Sequence, residues 1–164
     1  MTGVESRELV VRPIGIVRNG YHEKPATPWE ETISEIVVDE ALTEALFRIE
    51  EYSHIHIIFW LDQAESQRGR YLRLHPERRE ELPEAGIFAL RAMFRPNPIG
   101  LTSVKLLGRQ ANILQVQGLD ALDGTPVLDL KPYLTRGDCW PEATVPWWIL
   151  QLWAMHDARH PESP

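Results

Sequence analysis

The segment TSVKLLGRQANILQVQGL, residues 102–119, carries the clearest antiparallel pattern in the chain. Its two halves, residues 102–107 and 113–119, are rich in β-branched and other apolar residues. The polar stretch Gly-Arg-Gln-Ala-Asn separates them. Two such runs joined by a short loop that contains Gly are typical of a β-hairpin. We therefore predict that these two runs form neighbouring antiparallel strands.

Further short strands are predicted on both sides of this hairpin. They cover residues 9–18, 34–38, 55–61, 86–94 and 127–133. Pro13 restricts the first of them to a sheet edge or a strand start, because proline has no N–H to donate. Asp123-Gly124 is a strong tight-turn pattern before the last of them. Because the strands do not alternate regularly with helices, the pattern favours a mainly β fold, an antiparallel sheet or barrel, over a parallel α/β fold.

Two helices are predicted among these strands. Asp39 is a good N-cap residue, and apolar residues recur after it at helical spacing to about Glu51. Residues 147–156 (WWILQLWAMH) form an apolar C-terminal helix, expected to pack in a core or against a second copy, with base stacking as the alternative. We accordingly divide the chain into a β domain, residues 1–137, and a Trp-rich helix with its tail, residues 138–164.

Composition narrows the class of protein. The chain has 164 residues, the size of one domain, and a net charge of -7, which argues against nucleic-acid binding by bulk charge alone. Residues 68–105 are locally basic, however, with eight Arg or Lys against four Glu. Cys139 is the only cysteine, and no segment reads as a signal peptide or membrane helix. We expect a cytoplasmic protein without an intrachain disulfide.

The turn Arg95-Pro-Asn-Pro-Ile-Gly100 is the most informative motif. Each proline fixes its own φ angle and restricts the residue before it, and Gly100 permits a close backbone approach. A rigid loop that holds an Asn amide and an Arg guanidinium is one way to preorganise a site. The alternative is a stiff corner between two strands.

A second dense segment spans residues 117–133. Asp120, Asp123 and Asp129 lie close together in sequence, with Lys131 behind them. Acidic pairs can transfer protons, but Asp123 suits a turn and Asp129 can simply pair with Lys131 on one strand face. The strand and turn either line a pocket or form a surface hairpin.

His54 and His56 share one face of a predicted strand, which can start a metal site. The simpler expectation is that both are packed and hydrogen-bonded. Cys139 is a poor candidate nucleophile, since the neighbouring Asp138 disfavours the thiolate. The sequence contains no Gly-rich dinucleotide or phosphate-binding motif, so a Rossmann-type nucleotide site is not expected.

Four blocks of sequence resemble the TsaA-like or TrmO family of S-adenosylmethionine-dependent tRNA methyltransferases. They are PIGIVRN (13–19), YSHIHIIFW (52–60), GIFALRAMFRPNPIGL (86–101) and LDALDGTPVLDLKPY (119–133). The resemblance implies a small antiparallel β-barrel, usually a homodimer. It implies methylation at N6 of a threonylcarbamoyl-modified adenosine beside the tRNA anticodon. The family's donor-binding positions correspond here to Asp62, Gln63, Arg91, Leu101, Gln117, Gly118, Leu119 and Asp120.

The resemblance also suggests roles in the chemistry. The adenine amine is a weak nucleophile, so a hydrogen-bond acceptor at the site would assist it. We hypothesise that the side-chain carbonyl of Asn97 is that acceptor. Arg91 or Arg95 would bind a carboxylate or phosphate. Lys131 is a third catalytic candidate beside Asn97 and Arg95, and no metal is expected.

Three other functions remain open at this stage. The acidic charge and the short stretch after residue 133 also suit a methyltransferase of the same fold that acts on a small molecule or another RNA. A non-enzymatic S-adenosylmethionine-binding module is the second alternative. A metal-binding domain built on His54 and His56 is the third.

Overall fold

A computed structural model of the chain describes residues 8–158. These residues divide into two compact units. The first consists of residues 8–62 and 99–133, and the second of residues 63–98 and 134–158.

The described residues form eight strands and two α-helices. The strands are β1 (Gly15–Arg18), β2 (Ile33–Val38), β3 (His54–Trp60), β4 (Arg73–Leu74), β5 (Ala85–Gly86), β6 (Ile99–Gln110), β7 (Ile113–Gln117) and β8 (Pro126–Pro132). The helices are α1 (Thr135–Asp138) and α2 (Trp147–Asp157).

The first unit is a closed antiparallel barrel. Its strands follow the order β1-β2-β7-β6-β3-β8, and β8 pairs again with β1 to close the ring. Alternate side chains point inward, as in β3, where Ile55, Ile57 and Phe59 are buried while their neighbours are not. Closure satisfies the strand edges that an open sheet would leave exposed. The predicted mainly β, barrel-like fold is confirmed.

The hairpin of residues 102–119 is also confirmed, with strands longer than predicted on the β6 side. Strand β6 runs to Gln110, and the pairing of Gln110 with Ile113 leaves only Ala111 and Asn112 in the turn. Ala111 has a φ of 52° there. The predicted loop at Gly108 is instead a register shift within the ladder.

The mid-chain helix differs from its prediction. Residues Glu40–Leu46 and Ile49–Glu51 form two 3₁₀ helices, separated by Arg48 in the left-handed region with a φ of 69°. The predicted cap forms, since the Asp39 carboxylate accepts a hydrogen bond from the Ala41 N–H at 2.9 Å. The physical reason for the break is that Arg109 donates to the Leu46 carbonyl at 3.0 Å, a long-range contact that periodicity does not reveal.

Two predicted strands are shorter than expected. The strand of residues 9–18 begins only at Gly15, because Pro13 cannot donate to a ladder. The strand of residues 86–94 is wrong: only Ala85–Gly86 is extended, and Ile87–Ala89 form a 3₁₀ turn. Arg95 donates to the Ile87 and Leu90 carbonyls at 3.1 and 2.6 Å, and these two hydrogen bonds hold the segment in the 3₁₀ turn.

The second unit contains the small β4–β5 sheet and both α-helices. Strand β4 and a 3₁₀ turn at Pro76–Arg78 lie in the polar, arginine-rich stretch 67–83. The predicted apolar C-terminal helix is confirmed as α2, in which Leu152 is buried. Within residues 8–158, no helix has the length and apolarity needed to span a membrane.

Candidate functional site

The end of β7 carries four of the candidate residues, Gln117–Asp120. Gly118 follows the strand with a φ of 93°, a backbone conformation that residues other than glycine rarely adopt. Its N–H donates to the Thr32 carbonyl at 3.0 Å, and Leu119 is fully buried beside it. Asp120 then emerges exposed. The predicted run Gln117–Asp120 is therefore a strand end that turns sharply and presents one carboxylate.

Thr102 on β6 holds that carboxylate. Its hydroxyl donates a short hydrogen bond to Oδ1 of Asp120. Leu101, the neighbouring residue, pairs with Ile58 of β3 and is 52% exposed. Because successive residues of a strand point to opposite faces, Thr102, which orients the carboxylate, faces inward and Leu101 faces outward. Sequence reasoning missed Thr102, because a threonine within a strand has no local pattern that marks it as a ligand-positioning residue.

The Asn97 turn is built entirely within the second unit. Arg68 donates from Nε to the Pro96 carbonyl at 2.6 Å and from Nη2 to Oδ1 of Asn97 at 3.1 Å. The Gly69 N–H donates to the Arg95 carbonyl at 3.2 Å. Pro98 is buried and anchors the turn. The predicted rigid turn is therefore braced by a neighbouring segment as well as by its own prolines.

Arg95 and Arg91 have different surroundings in this unit. Arg95 is half-buried, its Nη1 binds two backbone carbonyls, and its guanidinium lies 5.6 Å from the centre of the Phe88 ring. Arg91 is exposed. Of the two arginines, Arg91 is thus the more accessible to an anionic ligand, while Arg95 also shapes the local backbone. Gln63, another donor-site candidate, is exposed in a 3₁₀ segment, Asp62–Gln67.

Lys131 lies on the outer face of the barrel. Its Nζ is 2.7 Å from Oδ2 of Asp129, so the predicted pairing of these two residues forms. Lys131 is opposite His56 in the β3–β8 ladder. The centre of the Tyr133 ring, two residues after Lys131, lies 5.3 Å from the centre of the His56 ring. Lys131 therefore belongs to an outward-facing polar cluster.

His54 and His56 share the outer face of β3, as predicted. His56 Nδ1 lies 2.9 Å from the Ser103 hydroxyl, and His54 Nδ1 lies 2.9 Å from that of Ser53. Between residues 8 and 158, no group of three or more His, Cys, Asp or Glu side chains is placed to hold a metal ion. Both histidines are therefore hydrogen-bonded, as the simpler expectation had it, but His54 is exposed rather than packed.

Asp123 has the turn role suggested for it. Its Oδ1 accepts hydrogen bonds from the Asn19 and Gly20 N–H groups at 2.7 and 2.9 Å. The N–H of Gly20, followed by that of Asn19, lowers the pKa of the Asp123 carboxyl below its ordinary value. The carboxylate thus joins the loop after β1 to the turn before β8.

The available side chains suit S-adenosylmethionine chemically. Asp62 and Asp120 accept hydrogen bonds, as ribose hydroxyls and an ammonium group require. Leu101 offers an apolar surface for adenine, and Arg91 offers donors for a carboxylate. The candidates are divided between the units. Asp62, Leu101, Gln117, Gly118, Leu119, Asp120 and Lys131 lie in the first, and Gln63, Arg91, Arg95 and Asn97 in the second.

Comparisons with known proteins identify the family. The family model for the tRNA-methyltransferase O N-terminal domain matches residues 16–139. An S-adenosyl-L-methionine-binding protein of Archaeoglobus fulgidus is 36% identical over 135 residues, which are 80% of this chain and 94% of that protein. The tRNA (adenine(37)-N6)-methyltransferase of Escherichia coli is 33% identical over 142 residues, 80% of this chain and 60% of the enzyme.

Solved structures give the same result. The crystal structure of TrmO from Pseudomonas aeruginosa has a TM-score of 0.67 at 33% identity, covering 84% of this chain and 62% of that one. Another structure of the same enzyme has a TM-score of 0.71 at 28% identity, covering 97% of this chain and 76% of that one. The chain thus spans about three-fifths of the Escherichia coli enzyme but nearly all of the archaeal protein.

Proposed function

Because the chain belongs to the tRNA-methyltransferase O N-terminal domain family, we propose that it methylates N6 of a threonylcarbamoyl-modified adenosine beside the tRNA anticodon, with S-adenosylmethionine as the methyl donor. The observation that carries the proposal is the extent of the family match. Residues 16–139 include both units' candidate residues and all of the barrel strands except Gly15, the first residue of β1.

The donor-binding part of the proposal rests on the candidate residues after β3, on β6 and after β7, and on Arg91. Asp120, held by the Thr102 hydroxyl, binds a donor hydroxyl or ammonium group, and Leu101 contacts the adenine. Asp62 and Gln63 add polar contacts after β3, and the backbone of Gln117–Leu119 supplies further hydrogen-bonding groups. Arg91 pairs with a carboxylate, since a guanidinium binds carboxylates through two parallel hydrogen bonds.

Asn97 supports the acceptor in this proposal. S-adenosylmethionine supplies a methyl group that is already activated as a sulfonium, so the protein's contribution is orientation and hydrogen bonding. Oδ1 of Asn97 has two lone pairs. Arg68 occupies one of them, and the other accepts a hydrogen bond from the N6–H of the adenosine, which draws electron density toward the attacking nitrogen. As the methyl group transfers, S-adenosylhomocysteine leaves and the N6 proton passes to water, because an amide oxygen is too weak a base to keep it. Arg95 keeps the turn in place, and Lys131 contacts an anionic group of the substrate.

The proposal includes a homodimer acting in the cytoplasm. The outer face of the barrel offers half-exposed apolar side chains for a second copy. Ile16 on β1 is 47% exposed, and Ile99 at the start of β6 is 44% exposed. Burying such side chains against another subunit would contribute about 25 cal/mol for each Å² of apolar surface removed from water, part of which is offset by the entropy that association loses.

The first experiment is a thermal-shift titration with S-adenosylmethionine on ligand-free protein, with ATP as the control. Donor at about 100 times its Kd should stabilise the protein by roughly 2.7 kcal/mol, a shift of several degrees. The same protein is then incubated with tRNA that carries the threonylcarbamoyl group, and nucleosides are analysed by mass spectrometry. We expect N6-methylation, abolished or strongly reduced in Asn97→Ala, with the donor-induced shift retained.

Each failure has a distinct meaning. Absence of a donor-specific shift contradicts S-adenosylmethionine binding. A shift without any methylated tRNA nucleoside favours the second candidate function, a methyltransferase of this fold with a small-molecule acceptor, which the net charge of -7 also suits. Loss of the shift in Asn97→Ala would make Asn97 a donor-site or structural residue.

A further inference from the structure

We propose that Arg68 is a positioning residue that fixes the orientation of the Asn97 side-chain amide. This inference rests on the proposed function only where it concerns methyl transfer. The contact itself lies within one compact unit and can be tested separately.

The contact involves two consecutive residues of the turn. Nε of Arg68 donates to the Pro96 carbonyl at 2.6 Å, while Nη2 donates to Oδ1 of Asn97 at 3.1 Å. Gly69, the residue after Arg68, donates a backbone hydrogen bond to the Arg95 carbonyl at 3.2 Å. The guanidinium therefore binds the turn's backbone and its functional side chain at the same time.

Arg68 supplies a constraint that the prolines do not. Pro96 and Pro98 restrict the backbone on both sides of Asn97, but they leave the rotation of its side chain free. An asparagine amide can present either its oxygen or its nitrogen to a neighbour. Because a guanidinium has donors and no acceptor, only Oδ1 can face Arg68. The Nδ2 group and the second lone pair of Oδ1 are thereby given defined directions.

Geometry rather than charge is the main effect of Arg68. Its positive charge would oppose positive charge that develops on an attacking amine nearby. That effect is reduced because Glu65 Oε1 lies 3.4 Å from Nη1 and the Arg68 side chain is 47% exposed to water. A lysine would keep the charge but cannot present two spaced donors in a plane. Arg68→Lys therefore separates the two effects.

The test measures methyl transfer by Arg68→Ala, Arg68→Lys and the matched control Arg70→Ala. Arg70 is another exposed arginine, two residues away, so its removal changes the net charge by the same amount. Its guanidinium lies 5.4 Å from the centre of the Tyr71 ring. We expect both Arg68 variants to lower kcat by about 10- to 100-fold, as small misplacements at a site do, with donor Kd unchanged. Millimolar methylguanidine should partly restore Arg68→Ala. Arg70→Ala should keep kcat near that of the wild type.

A double-mutant cycle completes the test. Arg68→Ala should have little further effect in the Asn97→Ala background, because residues that act through one contact are not additive. Full additivity, or wild-type kcat in Arg68→Lys, would overturn the proposal.

The contact also has a readout that does not depend on activity. The Asn97 side-chain NH₂ resonances, assigned by their absence in Asn97→Ala, should shift in Arg68→Ala and not in Arg70→Ala. If the wild type methylates no tRNA while these resonances still shift, the proposed function fails and the Arg68–Asn97 contact stands. Unchanged resonances would overturn the contact.

Discussion

At the scale of single residues, the two side chains that orient candidate residues were not themselves predicted as site residues. Thr102 orients Asp120 in the barrel unit, and Arg68 orients Asn97 in the second unit. Neither contact is local: the partners are 18 and 29 residues apart in sequence. The residues suited to ligand binding were visible in the sequence, whereas the residues that orient them were not.

Gly100 provides a prediction at this scale. A Cβ at this position would overlap the ring of Phe59, which is 2% exposed and part of the barrel core. Gly100→Ala should therefore lower the free energy of unfolding by about 1–3 kcal/mol, the usual cost of overpacking a tight core. Urea denaturation measures the change.

Gly108→Ala is the matched control for that prediction. It lies on the same strand, and a Cβ there meets nothing within 4 Å. The control should change the free energy of unfolding far less than Gly100→Ala does. Equal effects of the two variants would mean that β propensity, rather than the Phe59 contact, explains the glycine.

At the scale of elements, side chains tie each irregular segment to a neighbour within its own unit. Arg109 at the end of β6 binds the Thr43 and Leu46 carbonyls of the 3₁₀ segment. Asp123 joins the turn before β8 to the loop after β1 through two backbone N–H groups. In the 3₁₀ segment, the Arg109 contacts hold a conformation that the helical spacing of its apolar residues did not predict.

The Asp123 contact gives a pH-dependent prediction. The N–H groups of Gly20 and Asn19 lower the folded-state pKa of Asp123 below its unfolded value of about 3.9. A depressed carboxyl pKa contributes stability that is present above the unfolded pKa and is lost as pH falls through the folded pKa. The wild type should therefore lose stability below about pH 4 more steeply than Asp123→Asn, which has no carboxylate to protonate. Urea unfolding of both proteins between about pH 6 and pH 2 measures this difference. A constant difference across that range would show that the carboxylate charge does not contribute.

At the scale of the whole molecule, charge is the feature that bears most directly on the acceptor. The chain carries a net charge of -7, yet the eight basic residues between 68 and 105 outnumber the acidic ones there. A tRNA ligand must therefore be bound through a limited number of arginine–phosphate contacts rather than through bulk attraction.

This charge distribution predicts a measurable salt dependence. The logarithm of tRNA affinity should fall linearly with the logarithm of salt concentration, by about 0.7–0.9 for each phosphate contact. Replacing the exposed residues Arg73 and Arg78 by glutamine should make the slope shallower by about one to two. Arg48→Gln is the control. Arg48 lies in the first unit, where it forms an exposed ion pair with Glu51, so this variant should leave the slope unchanged. Affinity that does not respond to salt would contradict tRNA as the acceptor.

The sequence by itself determined the barrel and the identity of the candidate residues. Alternating apolar residues set which strand faces are buried, and the RPNPIG and DGTPVLDLKPY blocks identified the family. Tertiary structure alone decided where the chain departs from its local pattern. Arg109 binds a carbonyl at the end of the first 3₁₀ helix, where a longer helix was predicted, and Arg95 binds carbonyls of a 3₁₀ turn, where a strand was predicted. It also decided that Arg68 orients Asn97. The physical reason is that periodicity reports burial, which depends on neighbouring residues. A single arginine that binds a distant carbonyl or amide changes no periodicity, so only the folded chain shows which partner it finds.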